Sequence, residues 1–368
     1  MSAPSPHPHV RWIHAWACLT AAWALGVVSI GGLVTSKGVG MAVPDWPTTY
    51  GYNMFFFPIS QWTGGIFHEH LHRLVASLLG LFTIVLAVGL QWRDRRRWVQ
   101  ALGWLAVGMV VFQGVLGGKR VVLNAVDVLG VPGSIFFGVL HATTAQVFLS
   151  LLLTLVLCTH RGFSTWTSGH GRPWGDVVQP RLGGWLATMA ALVFLQLTIA
   201  ATMRHQHAGL AVPDFPLAYG KLYPPTDEAS LLSINQRRTG VVDDAPVTAF
   251  HVHLHMVHRF LAVGLVAGAA WTWRRAAGLP RGWRRAVRSW CGLFALQFAL
   301  GAATVWTNKA ADLATAHVAV GATILSTAVA TAAVRMLAER QTARAIDPCG
   351  EAHAFIKPCA TAVAARTA

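Results

Sequence analysis

Eight apolar runs, at about residues 12–35, 70–90, 99–117, 135–158, 182–203, 250–273, 289–306 and 313–335, divide the sequence. Each is near the ~20 residues an α-helix needs to cross a bilayer, and only closed, internally hydrogen-bonded elements survive there. The chain therefore reads as an all-α polytopic membrane protein with eight transmembrane helices. Its charged residues make up 12% of 368 positions, against about 25% in soluble domains. The first run follows Arg11 and lacks a small-residue cleavage site, so it reads as a retained helix and not a leader.

The net charge of +15 sits in short clusters between the runs, which points to topology and not to nucleic acid. With both termini cytoplasmic, the inner side holds Arg93, Arg95, Arg96 and Arg97, the arginines at 161, 172 and 181, and the cluster Arg274 to Arg288. The outer side holds the sparser set Lys37, Lys119, Arg120, Arg204, Lys221, Arg237, Arg238 and Lys309. That bias places the long loops 36–68 and 204–249 outside. Cys18, Cys158 and Cys291 lie in apolar runs, and Cys349 and Cys359 flank His353 in the tail without a standard zinc spacing. No structural disulfide is expected.

The chain repeats itself. Ala42-Val43-Pro44-Asp45-Trp46-Pro47 returns as Ala211-Val212-Pro213-Asp214-Phe215-Pro216, followed by Tyr50-Gly51 and Tyr219-Gly220. Gln113 and Gly117 match Gln297 and Gly301; His72 matches His258, and His141 matches His317. Two duplicated four-helix bundles account for this, with matching residues at the same membrane face. The expected organisation is a disordered N-terminus (1–11), an N-terminal half (12–160), a cytoplasmic linker (161–181), a C-terminal half (182–335) and a disordered cytoplasmic tail (336–368).

A lone histidine in an apolar helix is usually a core residue. Four in two matched pairs, near the outer ends of even-numbered helices, point to ligands. No cysteine or second carboxylate accompanies them to make a zinc or di-iron set. Two imidazoles facing each other across a bundle suit the axial positions of haem iron. Arg73 and Arg259 directly follow ligand positions and could pair with haem propionates, or could snorkel to headgroups. Asp45 and Asp214, each set between prolines, read as turn caps. Gln113 and Gln297 suggest close packing around a buried amide. His68, His70, His251, His253 and His255 read as solvated interfacial imidazoles.

One difference separates the halves. Glu69-His70-Leu71-His72-Arg73 becomes His255-Met256-Val257-His258-Arg259. Glu69 stands one turn before His72, on the same helix face, where it can serve as acid or base; its alternative is an ion pair with Arg73 or His70. This suggests a division of labour, with a permanent electron-carrying haem in the second half and chemistry in the first.

These residues resemble the haem A synthases across 12–335: Gly31-Gly32-Leu33-Val34-Thr35, Asp45-Trp46-Pro47, Glu69-x-x-His72-Arg73, Gln113 through Gly118, His141, His258-Arg259 and His317. The resemblance implies a membrane haem-dependent oxidoreductase of cytochrome oxidase assembly. It would convert the methyl group of haem O to a formyl group by successive hydroxylation and loss of water. It implies haem b held by His258 and His317, and haem O as substrate beside Glu69, His72 and His141. It further implies a bacterial plasma-membrane location with haem sites toward the outer face, and a lipid-facing opening for the isoprenoid tail. Pathway logic adds the haem O-making enzyme as a partner; no residue identifies the electron donor. Many bacterial members carry a cysteine pair in the first outer loop, and 42–50 here has none. A dihaem, quinol-linked membrane cytochrome b would explain the four histidines but not Glu69, and a haem chaperone would predict exchangeable haem in both halves.

Overall fold

The computed structural model describes residues 11–163, 180–238, 241, 246–279 and 281–346. Eight helices there are long and apolar enough to cross a membrane. They are α1 (Arg11–Ser36), α2 (Gly64–Arg93), α3 (Arg97–Val122), α4 (Gly133–Thr159), α5 (Pro180–His205), α7 (Ala249–Arg275), α8 (Arg281–Trp306) and α9 (Ala311–Ile346). A short helix, α6 (Glu228–Arg237), lies in the second long loop, and the β-structure among the described residues is two small hairpins, β1 (Thr48–Thr49) with β2 (Tyr52–Asn53) and β3 (Asp127–Val128) with β4 (Val131–Pro132).

All eight runs expected from apolarity are helices, and most extend a few residues beyond the apolar stretch. The last differs most. Its apolar run ends near residue 335, but the helix continues to Ile346, because 336–346 is rich in Ala, Leu, Glu, Gln and Arg, all strong helix formers. Residues 1–10, 164–179 and 347–368, which hold most of the expected N-terminal segment, linker and tail, lie outside the described residues. Cys18, Cys158 and Cys291 are free thiols.

Neighbour relations follow a simple order. α1 packs on α2 and α4, and α3 on α2 and α4; α5 packs on α7 and α9, and α8 on α7 and α9. α9 also touches α1 and α4, and α4 touches α5. The apolar core accordingly forms one cluster around Leu86, Leu90, Phe148, Leu152 and Leu155, and another around Met189, Leu265, Phe294, Ile324 and Leu325.

Lipid tails are as apolar as leucine, so close packing and interhelical polar contacts must hold such helices together. Trp16 and Trp23 of α1 donate their indole N–H to the carbonyls of Phe82 and Val75 on α2, both at 2.9 Å. Trp290 of α8 donates to Ile324 O at 3.1 Å, and Trp185 of α5 to the Thr272 hydroxyl at 2.8 Å. Ser150 of α4 and Ser326 of α9 join across the seam at 3.3 Å. Arg96 pairs with Asp94 at 2.6 Å and donates to Cys158 O at 2.8 Å, tying the α2–α3 turn to the end of α4.

The loop between α1 and α2 is seated on α3 through Trp46. A Cβ added at Gly118 would lie 2.2 Å from the indole Cδ2, so only glycine lets the ring approach. Gly118→Val should therefore displace Trp46, with an overpacking cost of about 1–3 kcal/mol. The expected outcome is a thermal midpoint several degrees lower in detergent and faster proteolysis within 42–53; an unchanged midpoint with a protected loop would contradict this seating.

Candidate haem site and its loop clamps

The site is built from the helix ends next to the two Pro-Asp loops and from those loops themselves. Within the first loop, Asp45 accepts the N–H groups of Tyr50 (2.8 Å) and Gly51 (2.9 Å) and the Thr48 hydroxyl. Partial burial acts to raise the Asp45 carboxyl, but the hydrogen bonds from Gly51, Thr48 and Tyr50 outweigh it and hold the group below its usual value. Asp214 does the same work in the second loop, accepting from Tyr219 N–H (2.7 Å) and Gly220 N–H (3.0 Å). Tyr50 and Tyr219 close each loop by donating to Ala42 O (2.6 Å) and Ala211 O (2.8 Å). Both aspartates are turn caps, as their setting between prolines suggested.

Arg73 and Arg259 hold these loops to their helices. Arg73 donates to the carbonyls of Asp45 (2.7 Å), Thr48 (3.1 Å) and Val43 (3.1 Å). Arg259 donates to those of Asp214 (2.7 Å), Val212 (2.9 Å) and Leu217 (2.9 Å). The planar fork of a guanidinium suits several converging acceptors at once. The donors expected from sequence to meet propionates are thus engaged by loop carbonyls.

Glu69 belongs to the same clamp. It is 5% exposed; one oxygen accepts from Arg73 at 2.8 Å and the other from Val43 N–H at 2.9 Å. His255, its counterpart, accepts from Val212 N–H through Nδ1 at 3.3 Å. The two residues fill one geometric role, and only Glu69 brings a negative charge to it. His70 and His255, read from sequence as solvated, are buried. His70 sits under the loop with Nδ1 3.2 Å from the Thr49 hydroxyl and its ring against Phe57 and Trp62. Local sequence carries no sign of this, because the residues that bury it come from the loop.

The four matched histidines lie where helices approach closely. A Cβ at Gly31 of α1 would be 2.9 Å from His72 Cε1, and one at Gly301 of α8 would be 3.1 Å from His317 Cε1. His317 Nδ1 lies 3.1 Å from Gln297 O; donation to that carbonyl leaves the lone pair on Nε2, the arrangement a metal-ligating histidine takes. His141 faces the corresponding Gln113 carbonyl. Gln196 Nε2 of α5 donates to the His258 backbone carbonyl at 2.9 Å and lies 3.3 Å from His258 Nε2. The Nδ1 atoms of His72 and His258 are buried without a partner.

His72 and His141 are within electrostatic reach of each other, as are His258 and His317. Among the described residues no group of three or more His, Cys, Asp and Glu side chains could hold a metal ion. Pairs of half-buried imidazoles, one ring nitrogen in each pair buried without a partner, fit a haem, which would need only histidine ligands from the protein.

A family model described as cytochrome oxidase assembly protein matches residues 52–329. The chain belongs to this family. Curated relatives include the heme A synthase of Halalkalibacterium halodurans, 28% identical over 271 residues covering 72% of this chain and 78% of the relative. The heme A synthase of Rhodopseudomonas palustris (strain BisB5) is 27% identical over 357 residues, 87% of this chain and 90% of the relative. That of Nitrosomonas eutropha is 23% identical over 346 residues. Membership places the loop clamps and buried histidines in a multi-pass membrane protein of cytochrome oxidase assembly.

Replacing Arg73 with Gln should release loop 42–53 while leaving α2 intact, and Arg73→Lys should rescue little, because an ammonium cannot span three carbonyls and a carboxylate. Hydrogen exchange at the amides of Val43, Tyr50 and Gly51 is the measurement; an increase of about 10-fold or more is expected, and unchanged protection would refute the clamp.

Proposed function

We propose that the chain is a haem A synthase: a membrane oxidoreductase that converts the methyl group of haem O to a formyl group by successive hydroxylation, for cytochrome c oxidase biogenesis. The observation that carries the reading is the pair of matched histidine sets, one in each half, with the charge-bearing difference of Glu69 against His255 one turn before His72 and His258. The family match and the names of the relatives support the same activity. A pure electron carrier would need no such difference.

In this reading the halves 12–160 and 182–335 are duplicated four-helix bundles with both termini cytoplasmic and the haem sites toward the outer face. His258 and His317 hold haem b as the resident cofactor, and Gln196 and Gln297 orient those rings. His72 and His141 hold substrate haem O, with Gln113 fixing His141. The resident haem supplies electron transfer to or from the substrate site. Glu69 lies on the His72 face of α2 and moves or positions a proton there, while its bonds to Arg73 and Val43 couple that carboxylate to the loop covering the site. The exposed side chains of Phe55, Phe56 and Ile59 anchor the loop's rim in lipid, where the isoprenoid tail would leave. An electron donor and the haem O-making enzyme are the partners this reading requires.

Haem analysis of membranes expressing the chain with a haem O source tests it. Haem A should appear with the intact chain and fall by about 100-fold or more in Glu69→Ala, the scale of a lost acid–base group. Haem O left untouched, with haem b alone extracted, would overturn the assignment. In His258→Ala the spectrum of bis-histidine haem b should disappear; in Glu69→Ala it should persist, and the reverse pattern would contradict the division of labour.

A further inference from the structure

Two half-buried arginines at the seam between the halves have no part in the clamps. Arg120 ends α3 and Arg204 ends α5. Arg204 donates through Nη2 to Gly32 O and to the Ser36 hydroxyl of α1, and its Nε is buried without a partner. Arg120 makes no hydrogen bond to any described residue, and its Nε is buried. Its guanidinium lies against the backbone of the first outer loop: a Cβ added at Gly40 would be 3.1 Å from Nη2 and 3.2 Å from Nη1. Among the described residues the ion pairs are Arg73–Glu69 and Arg96–Asp94, so neither seam arginine is paired.

The surroundings make this costly. Arg120 and Arg204 are within electrostatic reach of each other, and Arg120 is within the same reach of His72 and His141. The nearby carboxylate, Glu69, reaches Arg120 through space but has both oxygens engaged by Arg73 and Val43. Two unpaired guanidinium groups at a membrane helix end carry a desolvation penalty that an anion relieves. Neither has a counterpart in the repeat. Thr304 stands seven residues after Gln297, as Arg120 does after Gln113, and Thr35 stands ten before Asp45, as Arg204 does before Asp214.

We propose that Arg120, backed by Arg204, is the carboxylate-binding point of the His72/His141 site and takes a propionate of the porphyrin held there. The idea rests on the haem reading of that site. A guanidinium fork matches a carboxylate bidentately, and Arg120 has its donors open while Arg73 does not. Propionate recognition in the first half then differs from that in the second, where the equivalent position is a threonine. This gives the seam a means of steering one porphyrin to one half.

The test uses the full chain, purified in detergent and titrated by absorbance with haem b and with its propionate dimethyl ester, in the unsubstituted protein and in Arg120→Gln, Arg120→Lys and His72→Ala. His72-dependent binding of the free acid should exceed that of the ester by about 10- to 100-fold, the scale of one charge-assisted pair. Arg120→Gln should abolish the difference by weakening the acid alone, and Arg120→Lys should restore part of it. Equal affinity for acid and ester at a His72-dependent site overturns this proposal alone, and does so in the unsubstituted chain whether or not the variants fold. Binding that ignores His72 overturns the site reading and the proposal together. Loss of co-purifying anionic lipid in Arg120→Gln, with the acid–ester difference intact, assigns the arginine to a headgroup phosphate and also overturns it.

Discussion

The grip of two guanidinium groups on loop carbonyls is the contact on which the loop-bearing end of the molecule depends. Pro44, Pro47, Pro213 and Pro216 lack N–H donors, so these loops cannot satisfy their own carbonyls by regular pairing. Near a bilayer such acceptors need partners supplied from elsewhere. Arg73 and Arg259, each one residue past a candidate ligand, supply them. Asp45 and Asp214 organise the same loops from within through N–H donors. The result couples the position of each loop to the helix that carries His72 or His258.

That coupling changes the meaning of the Glu69/His255 difference. A lone carboxylate beside an iron ligand would read as an acid–base group and nothing else. In the structure both residues accept a valine N–H from the loop, so the position is structural in both halves and charged in only one. A role for Glu69 in chemistry and a role in holding the loop are therefore properties of one buried ion pair, and replacing Glu69 disturbs both. The neutral variant Glu69→Gln, which keeps an oxygen for Val43, separates them better than alanine does.

The parts legible in sequence were those encoded along one dimension. Eight spans follow from apolar length, since each helix satisfies its own backbone wherever its neighbours lie. The histidine pairs follow from repetition, because two copies of a spacing expose residues that a single copy would hide. The partners of Arg73 and Arg259 were not legible: their acceptors lie 25 to 47 residues away, and carbonyls leave no mark in the residue alphabet. Gln113 and Gln297 were visible as a matched pair, but their hold on His141 and His317 depends on how α3 meets α4 and how α8 meets α9.

The sequence by itself determined the membrane class, the number of spans, the family resemblance and the candidate ligands, because apolarity, repetition and residue type survive without coordinates. Only the tertiary structure decided what the charged residues touch. His70 proved buried, the arginines beside the candidate ligands proved to hold loop carbonyls, and Arg120 and Arg204, which have no matched copies to draw notice, proved to be half-buried and without ion pairs among the described residues. The physical reason is that the cost of a buried charge depends on the dielectric and the partners around it, and both are assembled from segments far apart in the chain.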